Sequence, residues 1–315
     1  MLEGRLYIDG TDAYAAYGLY TKYDGLGSLV QWPQFKASSI AVNDWHEQDG
    51  IEVDLSAPVL DGRQFQMTLY VSYVRDAEDF LLQMSDGAYH TFRFPRLADS
   101  AYTLRLVSGG PLSEFYDTAF GTLTLTFADD TAPVIPHSFS APTTPLARET
   151  GYAIDGVSLA NYGILVLKGT RDSFRGAPQV KENLRTSVLS TPGVAYDGRD
   201  VRYKSRDCAM LLLIHTGTSE EFARRYNGFF TMLCRPGLRT VSVKGTDHST
   251  LSAYYKDCSV QRLVVTEGGE TWCEFTVTLT VTDWSPVSTL LYLAAESDDN
   301  VSSERESLIV VRKKL

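Results

Sequence analysis

The feature that most constrains this chain is a stretch that occurs twice. Residues 121–130 read GTLTLTFADD, and Phe275 opens the run FTVTLTVTD. Residues 122–129 and 276–283 agree at five of eight positions, at a constant offset of 154 (276 − 122). Threonine alternating with Leu, Val or Phe is the period-two pattern of a strand with one buried face. Other landmarks recur in the same order. Ile8-Asp9-Gly10 and Tyr17-Gly18 are matched by Ile154-Asp155-Gly156 and Tyr162-Gly163, at offsets of 146 (154 − 8) and 145 (162 − 17). Asp49-Gly50 with Val53 is matched by Asp197-Gly198 with Val201, at an offset of 148 (197 − 49). Repeats in register over a whole chain imply two copies of one domain.

Size agrees with duplication. The 315 residues divide into a first domain at 1–131, a Pro-rich linker at 132–150, a second domain at 151–286 and an extension at 287–315. Each copy, at about 130 residues, is long enough to bury a core. Hydrophobic residues make up 43% and charged residues 22%, a globular composition that excludes a disordered chain. No apolar run approaches the ~18 residues of a membrane span. The opening MLEGRLYIDG lacks the pattern of a secretory signal, so folding in a cytoplasm is expected.

Within copy one, residues 5–22 read as strand, turn and strand, residues 23–64 as a long loop excursion, and residues 65–73 as a strand. A short helix is expected over 76–85, followed by three strands. Copy two repeats this plan, with its excursion over 169–206. Its helix opens at a capping box, Thr218 with Glu221, and carries Phe222, Tyr226, Phe229, Phe230 and Leu233 along one side, a core stripe. The run from Cys208 to Ile214 is apolar enough for burial on both faces. In the extension, Ser307 to Val311 reads as an edge strand protected by Arg312, Lys313 and Lys314. The fold class expected is mainly β (α+β): two tandem antiparallel β-sandwich or split-barrel domains, each with one helix.

Catalytic constellations do not stand out. There is no nucleophile elbow, zinc-protease helix, phosphate loop or dinucleotide fingerprint. The five histidines, His46, His90, His137, His215 and His248, are scattered singly. The four cysteines, Cys208, Cys234, Cys258 and Cys273, lack a C-x-x-C spacing and read as buried free thiols. The acidic run at 44–54 lacks the ordered spacing of a calcium loop and reads as a solvated loop. No catalytic residue, cofactor or metal is assigned, and Asn300-Val301-Ser302 is a glycosylation sequon only in a secretory context.

Charge is unevenly shared. Residues 1–131 carry 8 basic and 19 acidic side chains, a net −11; the remainder carries 21 and 20, a net +1. Candidate subunit-interface residues follow: Asp44, Glu47, Asp49, Glu52 and Asp54 on the acidic side, and Arg171, Arg175, Lys181, Arg185, Arg199 and Arg202 on the basic side. Docking of one chain's acidic domain beside another's basic stretch would fix their order. An overall charge of −10 argues against coating nucleic acid.

The opening I-D-G and Y-G pairs, the segment D-W-H-E-x-D-G-I-E-V-D-L-S-A-P at 44–58, and a β-rich copy with one helix resemble the distal tail or baseplate-hub proteins of tailed bacteriophages and prophages. The resemblance spans about residues 1–286 and implies tail-tube-like domains set side by side in a ring. It implies a non-enzymatic virion protein, assembled in the bacterial cytoplasm as a trimer or hexamer. Its partners would be the tail tube and the receptor-binding proteins, with DNA passing through unbound. The usual distal tail plan adds a different, galectin-like outer domain, from which the internal repeat departs. The alternatives are a tandem carbohydrate-binding or adhesion protein, using Trp32, Trp45, Tyr196 or Tyr203, and a glycan hydrolase with carboxylates in the region 44–61.

Overall fold

The computed structural model describes residues 3–21, 25–72, 74–98, 100–115, 120–131, 142–176, 179–182, 185–196, 201–243 and 250–283. Copy one runs β1 (Tyr7–Ile8), β2 (Thr11–Asp12), α1 (Ala13–Tyr17), β3 (Leu19–Thr21), α2 (Gly27–Val30), β4 (Ala41–Asn43), β5 (Glu52–Asp54), β6 (Arg63–Val71), α3 (Val74–Met84), β7 (Tyr89–Phe94), β8 (Ser100–Phe115) and β9 (Phe120–Asp129). Copy two runs β10 (Tyr152–Ile154), β11 (Val157–Ser158), a 3-10 turn (Leu159–Tyr162), β12 (Ile164–Val166), α4 (Thr170–Arg175), β13 (Arg185–Thr186), β14 (Ala195–Tyr196), β15 (Arg206–Thr216), α5 (Ser219–Leu233), β16 (Arg239–Val243), β17 (Leu251–Val265) and β18 (Thr271–Val281).

These elements form two seven-stranded sheets of one topology. The first is ordered β2-β1-β7-β8-β9-β6-β3 and the second β11-β10-β16-β17-β18-β15-β12. Replacing each strand by its counterpart converts one order into the other, and the pairs are antiparallel in both. Even an irregularity is shared. Leu125 and Leu123 face Gly109 and Leu112, while Leu279 and Val277 face Tyr255 and Cys258, so one extra residue bulges from the longer strand at the same place. The offsets are again 154 (279 − 125) on one strand and 146 (255 − 109) on the other. Bulges bend a strand and raise its twist, which curls these sheets.

The repeated motifs are turn and cap chemistry. Asp9-Gly10 and Asp155-Gly156 are two-residue hairpin loops, with φ of 49° and 82° in one and 51° and 78° in the other. Positive φ at both positions is the primed turn that an Asp-Gly pair favours. Each Asp also reaches sideways: Asp9 Oδ1 accepts from Thr91 N and Asp155 Oδ1 from Thr240 N, both at 2.8 Å. Gly18 and Gly163 close the following helical turns in the left-handed conformation, which explains the Tyr-Gly pairs.

Three expectations are corrected. Residues 13–17 are a short helix rather than a turn between strands, because Asp12 caps it by accepting from Tyr14 N and Ala15 N. Each copy also carries more than one helix, since α2 and α4 occupy the excursions. Strand β15 buries one face, Cys208, Met210, Leu212, Ile214 and Thr216; its other face is half-covered by α4. The aromatic stripe of α5 is core, and Thr218 Oγ1 accepts from Glu221 N at 3.2 Å. The Glu221 carboxylate turns to Arg225 instead of completing the box. All four cysteines are buried and free. Burial pushes the thiols up, to about 11 at Cys208 and about 12 at Cys234 and Cys258. The buried side chains of both copies merge into one continuous apolar cluster. Most of the linker, His137, His248, Asp197-Gly198, Arg199 and the whole extension with its sequon lie outside the described residues.

Candidate functional site

The two excursions are the same structural element. Each leaves the sheet through a base of two hydrogen bonds around one bridge and ends in a two-stranded hairpin. In arm 1 (residues 34–61), Lys36 N donates to Val59 O and Asp61 N to Gln34 O, both at 2.8 Å, around the bridge Phe35–Leu60. In arm 2 (residues 179–204), Lys181 N donates to Arg202 O and Lys204 N to Gln179 O, both at 2.7 Å, around Val180–Tyr203. Hairpin β4–β5 tips the first and β13–β14 the second. Each follows a short helix anchored by a buried apolar side chain, Leu29 in α2 and Phe174 in α4.

Arm 1 and the residues that lead into it, Trp32 and Pro33, lie across copy two. Trp32 stacks on Phe230 of α5, with ring centroids 4.8 Å apart and planes 12° apart. Phe35 meets Tyr255 edge-on, and the Tyr255 hydroxyl donates to the Pro33 and Trp32 carbonyls at 3.1 and 3.3 Å. Further out, Ile51 N donates to Thr282 O, Gly50 N to Tyr203 O and Gly237 N to Leu55 O. Lys181, 3% exposed, closes the latch: its Nζ donates to the Gly50 and Trp45 carbonyls at 2.7 and 2.8 Å and to Asp44 Oδ1 at 2.6 Å. Directed bonds of this number fix the relation of the two copies.

Among the described residues, arm 2 beyond its base is uncovered, as is the hairpin end of arm 1 at 41–48. Every residue from 185 to 196 is exposed, and Val188, Leu189, Val194 and Tyr196 put apolar side chains into solvent, Leu189 completely. Contiguous apolar exposure of this kind marks a contact surface.

The candidate interface residues divide accordingly. Asp44 and Lys181 pair inside the chain, and Asp49 accepts from Tyr203 N at 2.8 Å. Glu52 accepts from the Trp45 indole at 3.0 Å, and Asp54 from Ser56 N, a bond that lowers its pKa. Glu47 is exposed, as are Arg171 and Arg175 on α4. Arg185, at the root of hairpin β13–β14, faces Glu182 at 3.2 Å, and Arg202 flanks the bridge of arm 2. The acidic carboxylates thus take separate partners and do not converge on a point. Of the aromatic candidates for sugar binding, Trp32 is consumed in the seam, while Trp45 and Tyr196 remain half exposed.

A cavity of about 440 Å³ opens on the seam, with walls from Trp32, Arg63, Tyr102 and Asp129 on one side and Phe222 and Asn227 on the other. Arg63 holds Asp129 through Nε and Nη2 at 3.1 and 3.0 Å, donates to the Gln31 carbonyl, and lies over the rings of Phe65 and Tyr102. Its charge is already answered within copy one, where the pair ties the chain at Gln31 to β6 and β9. Among the described residues, the cavity walls hold no histidine or cysteine.

Fold and seam together define a tandem β protein whose duplicated sheets are locked by an arm from the first copy. Among the described residues, no helix is long and apolar enough to cross a membrane. No family model matches the chain, and no curated protein does. Among solved structures, the chain is similar to the crystal structure of the Dit (gp 19.1) protein of phage SPP1, described as a paradigm of the hub adsorption apparatus in Gram-positive infecting phages. Identity is 14% and the TM-score 0.31, over 88% of this chain and 98% of that one. A likeness at this level assigns no function by itself.

Proposed function

We propose that this chain is a non-enzymatic structural component of a phage or prophage tail tip. It forms a ring around the DNA channel and joins the tail tube to the baseplate and receptor-binding apparatus. The observation that carries the reading is the locked duplication: one chain supplies two copies of one sheet, held side by side in a fixed relation. Such a unit is half-way to a ring, because repeating one contact head to tail either closes or grows a filament. The net −11 of copy one suits a surface past which DNA slides without sticking, by like-charge repulsion. The division into domains at 1–131 and 151–286 belongs to the same proposal. Negative-stain class averages of the purified protein test it. The expected particle is a closed ring with a central hole and an even number of lobes; compact, holeless particles would contradict it.

A second reading, a carbohydrate-binding module, is favoured by one surface. Trp272 is 42% exposed on the outer face of the second sheet and stacks on His215 at 3.8 Å, beside a depression lined by Arg262 and Glu274. Its test is glycan binding that disappears in Trp272→Ala.

A further inference from the structure

We infer that the apolar hairpin of arm 2 is the seat of this chain's own C-terminal extension. The run Leu290-Leu291-Tyr292-Leu293 docks on Val188, Leu189, Val194 and Tyr196. The inference is independent of the ring reading.

The two arms end in hairpins of opposite character. The end of arm 1, residues 41–54, carries Asp44, Glu47, Asp49, Glu52 and Asp54, and the indole of its exposed Trp45 is bonded to Glu52. Such an end is at home in water. In arm 2, residues 186–196 hold no charged side chain at all. Val188, Val194 and Tyr196 are half exposed there and Leu189 fully so. Exposure alone is common to both hairpins; an uncharged apolar ribbon belongs only to arm 2, and that is the surface a further segment covers.

The point of departure selects the occupant. Thr282 O accepts from Ile51 N, the neighbouring Gly50 N donates to Tyr203 O, and Lys181 Nζ donates to Gly50 O. The extension therefore leaves the fold at Asp283 beside the base of arm 2. From Lys181 to Leu189 is eight residues (189 − 181), which span at most about 29 Å. From Asp283 to Leu293 is ten residues (293 − 283), at most about 36 Å, so the apolar run reaches the hairpin with slack. Charge then chooses between the arms. The run is followed by Glu296, Asp298, Asp299, Glu304 and Glu306 against Arg305 alone. Beside arm 1 these carboxylates would meet like charge, which is costly. Beside the hairpin of arm 2 the nearest charge in sequence is Arg185. The second apolar run of the extension, Leu308 to Val311, carries Arg312, Lys313 and Lys314 and suits arm 2 less well.

A thiol placed on the hairpin tests it. Ser190→Cys is introduced into the full chain, and its labelling by a maleimide is followed by peptide mass, with folding checked by thermal melting. The same substitution is made in a chain ending at Thr289 and in a full chain carrying Leu291→Asp and Leu293→Asp. The introduced thiol should react about tenfold more slowly in the full chain than in either variant, because an undocked state near 10% of the population admits the reagent. Equal rates in all three chains would overturn the inference, showing a hairpin that the extension does not cover. Fast labelling in the truncated chain with slow labelling in the double aspartate variant would also overturn it, since a run other than 290–293 would then be the occupant. Mixing separates the chain's own extension from a neighbour's. The truncated Ser190→Cys chain, mixed with an excess of wild-type chain, should stay fast; protection gained on mixing would assign the cover to a second copy and contradict docking within the chain.

Discussion

Gly50 lies against Thr282 so closely that a Cβ built on it would fall 1.7 Å from the Thr282 carbonyl oxygen. The two residues belong to different copies, 232 positions apart (282 − 50), and Gly50 has a φ of +69°. A side chain there meets backbone, not a flexible neighbour, and must also enter the left-handed region. Gly50→Ala should therefore lift the tip of arm 1 off copy two and cost about 2–4 kcal/mol. Chemical denaturation would show this; a loss under about 0.5 kcal/mol would mean that the tip is not latched.

The latch itself is separable into parts. Lys181 satisfies two backbone carbonyls and one carboxylate, but Asp44 is 58% exposed, so solvent screens their attraction. Lys181→Met should cost about 2–4 kcal/mol, chiefly through carbonyls left without donors. Asp44→Asn should cost under about 1 kcal/mol. Equal losses in the two variants would show that the ion pair, and not the carbonyl contacts, holds the arm.

His90 and Arg239 do the same work in the two copies with different pH responses. Each binds the aspartate of its hairpin turn: His90 Nδ1 to Asp9 and Arg239 Nη1 to Asp155, both at 2.7 Å. Burial alone would lower the pKa of His90, but hydrogen bonds to Asp9 and Asp86 outweigh it and hold the value above 6.5. A group whose pKa is raised on folding stabilises fully below its unfolded value and loses that contribution as pH rises through the folded one. Copy one should thus soften as pH climbs from 6.5 through the raised pKa, whereas the Arg239 pair persists. Denaturation midpoints of the wild type and His90→Gln should converge over that interval. A gap that stays constant would show that His90 is not protonated in the folded protein.

The thiols give a test of the core. With Cys208, Cys234 and Cys258 buried and their pKa values raised, thiolate is scarce at pH 8. A disulfide-forming thiol reagent should label none of the four in the native protein and all four in denaturant. Rapid native labelling of any one would contradict the packing of copy two.

Much of this architecture is legible in the residues, for reasons of range. Asp9-Gly10 and Asp155-Gly156 declare hairpins because the turn conformation demands those residue types locally. The threonine strands declare a buried face through period two, and Thr218 with the stripe from Phe222 to Leu233 declares a helix. The five residues of α1 are too few to show helical periodicity, and their tyrosines suit a strand equally well. Arm 1 could be seen as a long excursion, yet nothing local tells that Trp32 ends on Phe230 or that Lys181 ends under Gly50. Those contacts join positions far apart in sequence, and they use single side chains instead of patterns. For the same reason the charged candidates could be enumerated but not sorted into latch and free surface.

Salt separates the two kinds of contact. Exposed charges are screened beyond ~10 Å at 0.1 M, so docking of an acidic copy one beside a neighbour's basic stretch should weaken at high salt. The internal latch rests chiefly on the bonds from buried Lys181 to the Gly50 and Trp45 carbonyls, which salt affects less. The oligomer is expected to shrink between low and high salt while the melting temperature of the chain holds; an oligomer indifferent to salt would assign the contact to apolar groups alone.

In the proposed ring, one chain occupies two equivalent positions. The measurement that tests it most directly counts chains and lobes in the same fraction, by light-scattering mass and negative-stain images. The expected particle has twice as many lobes as chains, six lobes for three chains of 35.0 kDa. As many lobes as chains, or a monomer, would contradict it.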